Sequence, residues 1–235
     1  MKKFLVAALA LVCSGSAFAI DNEPEEGLST QVFLGMTTSS IQNLNSFDGK
    51  VGGTAGIKFD YMLPNAHGTY INAGLDWIMK GAKMSYKNDF PVIGTTEVTT
   101  KIPTHYIELP VHVGFRYNVM QDLGVYGEVG PYFAFGVGGN NKVSLDADGS
   151  EVAQYESSYS IFKKAKDRVN FQRWDAGFGF RVGCEYMNHY SLNLGCDWGF
   201  TDMWRDSYRD AAHDAGVKLD KIKNFAFNLS FGYRF

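Results

Sequence analysis

From Trp174 to Tyr186 the chain alternates residue by residue. Trp174, Ala176, Phe178, Phe180, Val182, Cys184 and Tyr186 are apolar, and Arg173, Asp175, Gly177, Gly179, Arg181, Gly183 and Glu185 stand between them. After Met187, Asn188 and His189 the alternation resumes, with Tyr190, Leu192, Leu194, Cys196, Trp198 and Phe200 set against Ser191, Asn193, Gly195, Asp197, Gly199 and Thr201. Successive side chains of a strand point to opposite faces, so a period of two over this length predicts two long strands joined by a tight turn.

The same period returns six more times. Leu28 to Met36, Ala55 to Leu63, Ile71 to Met79, Ile107 to Tyr117, Val125 to Val137 and Phe225 to Phe235 each carry an apolar and a polar set; Phe33 falls on the polar side of the first. Short turns at 64–68, 118–124 and 187–189 alternate with long polar connections at about 37–51, 83–103, 140–172 and 202–223, the last with helical content. All the long connections therefore lie at one end. The expectation is an all-β, eight-stranded antiparallel up-and-down barrel, the pattern of outer-membrane barrels with short periplasmic turns and long extracellular loops. Strands of about ten residues also suit a tilted membrane crossing.

Alternation alone does not separate a membrane barrel from a soluble one. The composition of the polar face does. It carries Lys58, Lys80, Arg116, Arg181 and Arg234 beside Asp60, Asp76, Glu108, Glu128, Asp175, Glu185 and Asp197, and it is dense in glycine. Glycine weakens a solvated strand, whereas an eight-stranded barrel leaves an interior only wide enough for side chains. Small residues among interlocking charges suit that lumen. The expected lumen network is Lys58, Asp76, Glu108, His112, Arg116, Glu128, Arg181, Glu185, Asp197 and Arg234. The apolar face would then meet lipid, with Tyr61, Tyr117, Tyr186, Tyr190 and Tyr233 as an aromatic girdle near the short turns.

The bulk numbers agree with an envelope protein. The chain has 235 residues, 45% hydrophobic and 15% aromatic, with 26 glycines and a formal net charge of −3, which gives no reason to expect nucleic acid. Mean hydropathy is −0.18, and beyond the N-terminus no run reaches the roughly 18 apolar residues of a membrane helix. Lys2 and Lys3, the apolar stretch Phe4 to Val12, and Ala17-Phe18-Ala19 read as an export signal over 1–19, leaving a barrel domain over 20–235. Val12 before Cys13 departs from the Gly, Ala or Ser that lipoprotein signals share.

Two segments carry a specific resemblance. Tyr106-Ile107-Glu108-Leu109-Pro110-Val111-His112-Val113-Gly114-Phe115-Arg116-Tyr117 resembles the signature strand of the small PorT-type outer-membrane β-barrel family. Leu229-Ser230-Phe231-Gly232-Tyr233-Arg234-Phe235 is similar to the terminal strand, with a final aromatic, that the outer-membrane barrel assembly machinery recognises. The resemblance implies a fold and a location in the bacterial outer membrane. It brings no catalytic residues.

The remaining candidates are weighed on their chemistry. Export permits a disulfide, but pairing Tyr186 with Tyr190 puts Cys184 opposite Leu192 and Cys196 opposite Phe180. That offset of four residues is about 13 Å, beyond the roughly 7 Å a disulfide tolerates. His112, between Glu108 and Arg116 on one face, is expected as a paired lumen group rather than a relay. His189-Tyr190-Ser191 resembles the His-x-Ser step of lipid A deacylases, but on a short turn and without an acidic partner. Asp206, Asp210, Asp214 and His213 could form a metal-binding helical face, with hydrated surface charge as the simpler account. Asp146-Ala147-Asp148-Gly149 reads as a turn, and Lys163, Lys164, Lys166 and Arg168 as loop charge or as a contact for lipopolysaccharide phosphates. Pro110 and Pro131 each remove a ladder donor, which predicts a β-bulge at one or both.

The function expected is that of a monomeric, non-enzymatic barrel with a charge-filled lumen, surrounded by outer-membrane lipid and binding through its loops. It uses no cofactor and no metal. A narrow porin-like channel is the alternative, and a lipid-modifying enzyme the third reading.

Overall fold

The computed structural model describes residues 26–42, 47–90, 94–147, 150–160, 162, 171–214, 216 and 220–235. The export signal read over 1–19, the Lys163–Arg168 cluster, and Asp148 and Gly149 lie outside them.

Eight strands close a ring: β1 (Gly27–Gln42), β2 (Phe47–Met62), β3 (Thr69–Phe90), β4 (Gly94–Met120), β5 (Leu123–Gly138), β8 (Trp174–Tyr186), β9 (Tyr190–Gly199) and β10 (Lys223–Arg234). Each pairs antiparallel with the next, and β10 returns to β1 from Gln31–Arg234 to Gln42–Lys223. Closure removes the free edge that would otherwise expose unpaired N–H and C=O groups to lipid. No helix among the described residues is long and apolar enough to cross a membrane; the crossing belongs to the strands.

The alternation sorts as expected. Outward positions such as Leu34, Leu109, Phe133, Leu192 and Phe231 are exposed, and Lys58, Glu108, Arg181 and Asp197 between them are buried. Cys184 stands opposite Leu192 and Cys196 opposite Phe180, and both thiols are free. Phe33, out of place on its strand, turns inward with its ring over Gly56, its partner on β2. Tyr70 sits in the same way over Gly114, Tyr126 over Gly183 and Tyr132 over Gly177. The glycines are the space that these rings occupy.

Three corrections concern the ends of the strands. The segments 37–51 and 83–103, expected as loops, are mostly strand, because β1 to β4 continue as tall hairpins. The 140–172 segment holds a further hairpin, β6 (Asn140–Ala147) and β7 (Ser150–Ser160), which pairs on to the tall part of β4 from Thr96–Ala147 to Lys101–Lys142. Gly94 to Thr104 is rich in Thr, with Val98 and Ile102 beside it, and such branching favours extended backbone, but it is largely polar on both faces and so shows little contrast of period two. Within 202–223 lies the helix α1 (Asp206–Asp214).

The prolines are the fourth correction. Pro110 pairs with Tyr132 and Pro131 with Phe178 without any shift of register at either residue. No paired partner is recorded for Pro110 on β3 or for Pro131 on β4, so each missing donor falls at a gap in one ladder instead of forcing a bulge. The irregularities lie elsewhere, at His105/Tyr106, at Asn118/Met120 and between Gly49 and Thr54.

Candidate functional site

All ten residues of the expected lumen network are buried inside the ring. They form stacked groups. Nearest the short turns, Asp60 meets Arg116 at 3.3 Å and Arg234 at 3.0 Å, and Glu185 meets Arg234 at 2.8 Å. Asn72 Nδ2 donates to Asp60 Oδ1 at 2.6 Å. One step along, Lys58 donates to both oxygens of Glu128 at 3.1 Å, the Tyr70 hydroxyl donates to the same carboxylate at 2.9 Å, and His112 Nδ1 lies 3.6 Å from it.

The middle group centres on Arg181, 2.9 Å from Asp197 and 3.7 Å from Glu108. Asn228 donates to Asp197 at 3.3 Å. Towards the tall hairpins Lys80 lies 2.8 Å from Glu108 and 3.6 Å from Asp175, with its amine 4.4 Å from the centre of the Tyr132 ring. Asp175 also accepts from Asn224 at 2.9 Å. Buried charges persist only when paired and hydrogen-bonded, and this ladder pairs them both between neighbouring strands, as at Lys80–Glu108 and Arg181–Asp197, and across the lumen, as at Lys58–Glu128.

The expected ten omitted Asp60, Lys80 and Asp175, although all three share the parity of the polar face. The count is uneven. Asp60, Asp76, Glu108, Glu128, Asp175, Glu185 and Asp197 face Lys58, Lys80, Arg116, Arg181 and Arg234. Asp76 forms no ion pair within 4 Å among the described residues, and its Oδ1 lacks a hydrogen-bond partner. It borders a cavity of about 10 Å³ lined also by Phe33, Lys58, Arg181 and Asn228, room for about one water molecule.

Beyond Lys80 the lumen changes character. Ile78, Ile102, Tyr106, Tyr132, Ala134 and Ala226 from the wall pack against Phe162, Phe171, Met203 and Ile222 from the two long connections. Those four side chains are at most 3% exposed. The Tyr106 and Phe162 rings meet edge to face at 5.7 Å, and Gly136 supplies the room for Phe162. Asp202 Oδ1 accepts from the backbone of Trp204 and of Ile222, both at 3.2 Å, which ties the two ends of the second connection together. The result is an apolar stopper seated on a charge ladder. No local pattern announced it, since its four inserted residues lie in non-periodic segments.

The other candidates do not assemble. Ser191 is buried inside the ring against Gln31, whereas His189 is exposed, its ring stacked on Tyr233 at 5.4 Å and its Nδ1 2.8 Å from the Arg234 carbonyl. Asp206, Asp210, His213 and Asp214 all lie on α1, and among the described residues no three His, Cys, Asp or Glu side chains converge to hold a metal. Outside the ring Tyr61, Tyr186 and Tyr190 are exposed near the short turns. A second aromatic row stands towards the tall hairpins, with Trp77 stacked on His105 at 5.7 Å, Phe135 against Trp174 at 4.8 Å and Trp198 against Phe225 at 5.6 Å. Two such rows bounding an apolar band are the outer profile of a membrane barrel.

The sequence model of one family, described as the outer membrane protein beta-barrel domain, matches residues 20–205. No curated protein gives a match. Among solved structures, Ail, the attachment invasion locus protein of Yersinia pestis, is 14% identical, covering 90% of this chain and 100% of its own, with a TM-score of 0.36. OprG of Pseudomonas aeruginosa is 13% identical over 91% and 98%, with a TM-score of 0.39. Neisserial surface protein A is 11% identical over 89% and 98%, with a TM-score of 0.41. At this level the likenesses add nothing to what the closed ring shows by itself.

Proposed function

Because the chain belongs to the outer membrane protein beta-barrel domain family and resides in the bacterial outer membrane, we propose that it is a closed, non-enzymatic barrel that serves envelope integrity or surface binding through its tall hairpins. The observation that carries this reading is the lumen. A ladder of paired charges fills it, and Phe162, Phe171, Met203 and Ile222 stop one end with apolar side chains. An ion would have to strip its hydration shell to pass both.

Around this reading stand its companions. Residues 1–19 direct export, and the tall hairpins face outward from the cell. The strand ending Tyr233-Arg234-Phe235 engages the barrel assembly machinery, the protein is a monomer, and its finer kinship is with the PorT-type barrels. Planar-bilayer recording of the pure protein tests the central claim. The expected result is no stable unitary conductance; steady single-channel steps would replace the stopper with the narrow channel.

A further inference from the structure

The described lumen holds more negative than positive charge, and the excess has a place. Nearest the short turns Asp60 and Glu185 are balanced by Arg116 and Arg234, and one step along Glu128 is balanced by Lys58. Beyond them Glu108, Asp175 and Asp197 share Lys80 and Arg181. Asp76 joins this group from β3, directly opposite Glu108 on β4, with no cation of its own. Like charges opposite each other weaken a sheet, and an unpaired charge taken out of water is costlier still. A charged His112 would offset only part of the excess.

The surroundings of Asp76 supply oxygen. Two glycines make room for its carboxylate: a Cβ on Gly56 would stand 2.5 Å from Oδ1, and one on Gly74 3.2 Å from it. Beside it lies the cavity of about 10 Å³, whose wall includes Thr54, Asn228 and Ser230. Thr54 donates its hydroxyl proton to the Trp77 carbonyl at 3.2 Å, which leaves the lone pairs of Oγ1 free. The Asn228 amide nitrogen is turned to Asp197, which leaves the amide oxygen. Lys58 and Arg181 also line the cavity, but each is held by its own carboxylates.

One carboxylate among neutral oxygens suits a singly charged ion that exchanges its hydration shell for protein oxygens. Magnesium keeps several waters and calcium takes about six to eight oxygens; a space for about one water fits neither. A proton on Asp76 would cancel its charge but would make no use of the cavity or the oxygens around it. We infer that the barrel encloses one alkali-metal cation, sodium or potassium, beside Asp76, Thr54, Asn228 and Ser230. The ion is taken in as the ring forms, so the inference does not depend on whether the finished lumen conducts.

Urea unfolding of the refolded barrel at fixed ionic strength tests it, in sodium chloride, potassium chloride and N-methylglucamine chloride, whose cation is too large for the cavity. Wild type should be more stable in at least one alkali salt, and each tenfold rise in that cation above its dissociation constant should favour the folded state by up to about tenfold. Asp76→Asn keeps the shape and drops the charge, and its folding equilibrium should vary by less than about twofold among the three salts. Crystals grown in thallium(I) acetate should show an anomalous peak beside Asp76, which tests wild type directly should the variant not fold. Equal stability of wild type in all three salts, or crystals without that peak, overturns the inference. So does a response to pH in place of the alkali cation, which would put a proton at Asp76. Single-channel recording bears only on conduction, so the closed barrel and the bound ion fail separately.

Discussion

Lys80 Nζ and Glu108 Oε2 lie 2.8 Å apart with neither side chain open to solvent. The amine is shared with Asp175 at 3.6 Å, so one cation holds two carboxylates at the level where the charge ladder meets the stopper. Breaking a buried pair by removing one partner costs about 3–5 kcal/mol, because the remaining charge is stranded. Lys80→Met should therefore lower the urea-unfolding free energy of the refolded barrel by about that amount. An exposed control such as Gln121→Ala in a short turn should change it by less than about 0.5 kcal/mol.

A Cβ on Gly114 would overlap the ring of Tyr70, whose hydroxyl donates to Glu128. Overpacking a filled interior costs about 1–3 kcal/mol. Gly114→Ala should destabilise by that margin, and Tyr70→Leu in the same chain should recover part of it by vacating the space. Thermal unfolding of the single and double variants reads the coupling. Simple additivity would mean that the ring is not what the glycine accommodates.

The stopper is held by packing, and Phe162 and Phe171 are its largest inserted side chains. Truncating a buried Phe to Ala costs about 3–5 kcal/mol. Phe162→Ala with Phe171→Ala should loosen the 200–222 segment, and trypsin should then cut at Lys221 or Arg205 at least about tenfold faster, as expected when cleavage follows the population of the opened form. The eight-stranded ring should survive as a heat-modifiable core. A rate no different from wild type would show that this segment is retained by something else.

Cys184 is exposed on the outer wall opposite Leu192, and no disulfide ties it. In vesicles a lipid-soluble maleimide should modify it while a membrane-impermeant charged maleimide should not. Mass spectrometry distinguishes the two adducts. Modification by the charged reagent would move this part of the wall out of the bilayer.

The eight strands and their two faces were legible because lipid and lumen impose opposite demands on alternate residues, as at Phe178 and Arg181. Where both faces meet water, as from Gly94 to Thr104, the same backbone carries little contrast, and the tall hairpins read as loops. Lys80 and Asp175 were visible as polar-face residues, but their place in the ladder depends on which strands adjoin across the ring. The stopper was not visible at all. Nothing local distinguishes Phe162 or Ile222 from any apolar residue in a connection; only the folding back of two distant segments makes them a unit. Pro110 and Pro131 misled because one missing donor need not shift a register when a single rung can be left out.

The seam between β1 and β10 sets the order in which the molecule can form. Gln31 pairs with Arg234, and Phe235 donates its backbone N–H to Thr30 at 2.9 Å, joining segments almost the whole described chain apart. Every other neighbouring pair in the ring can meet earlier at a lower cost in chain entropy. Until the seam is made, β1 offers a bare edge to any extended strand nearby. Assembly is therefore a race between self-closure and pairing with a stranger, and whatever holds that edge in the interval decides the winner.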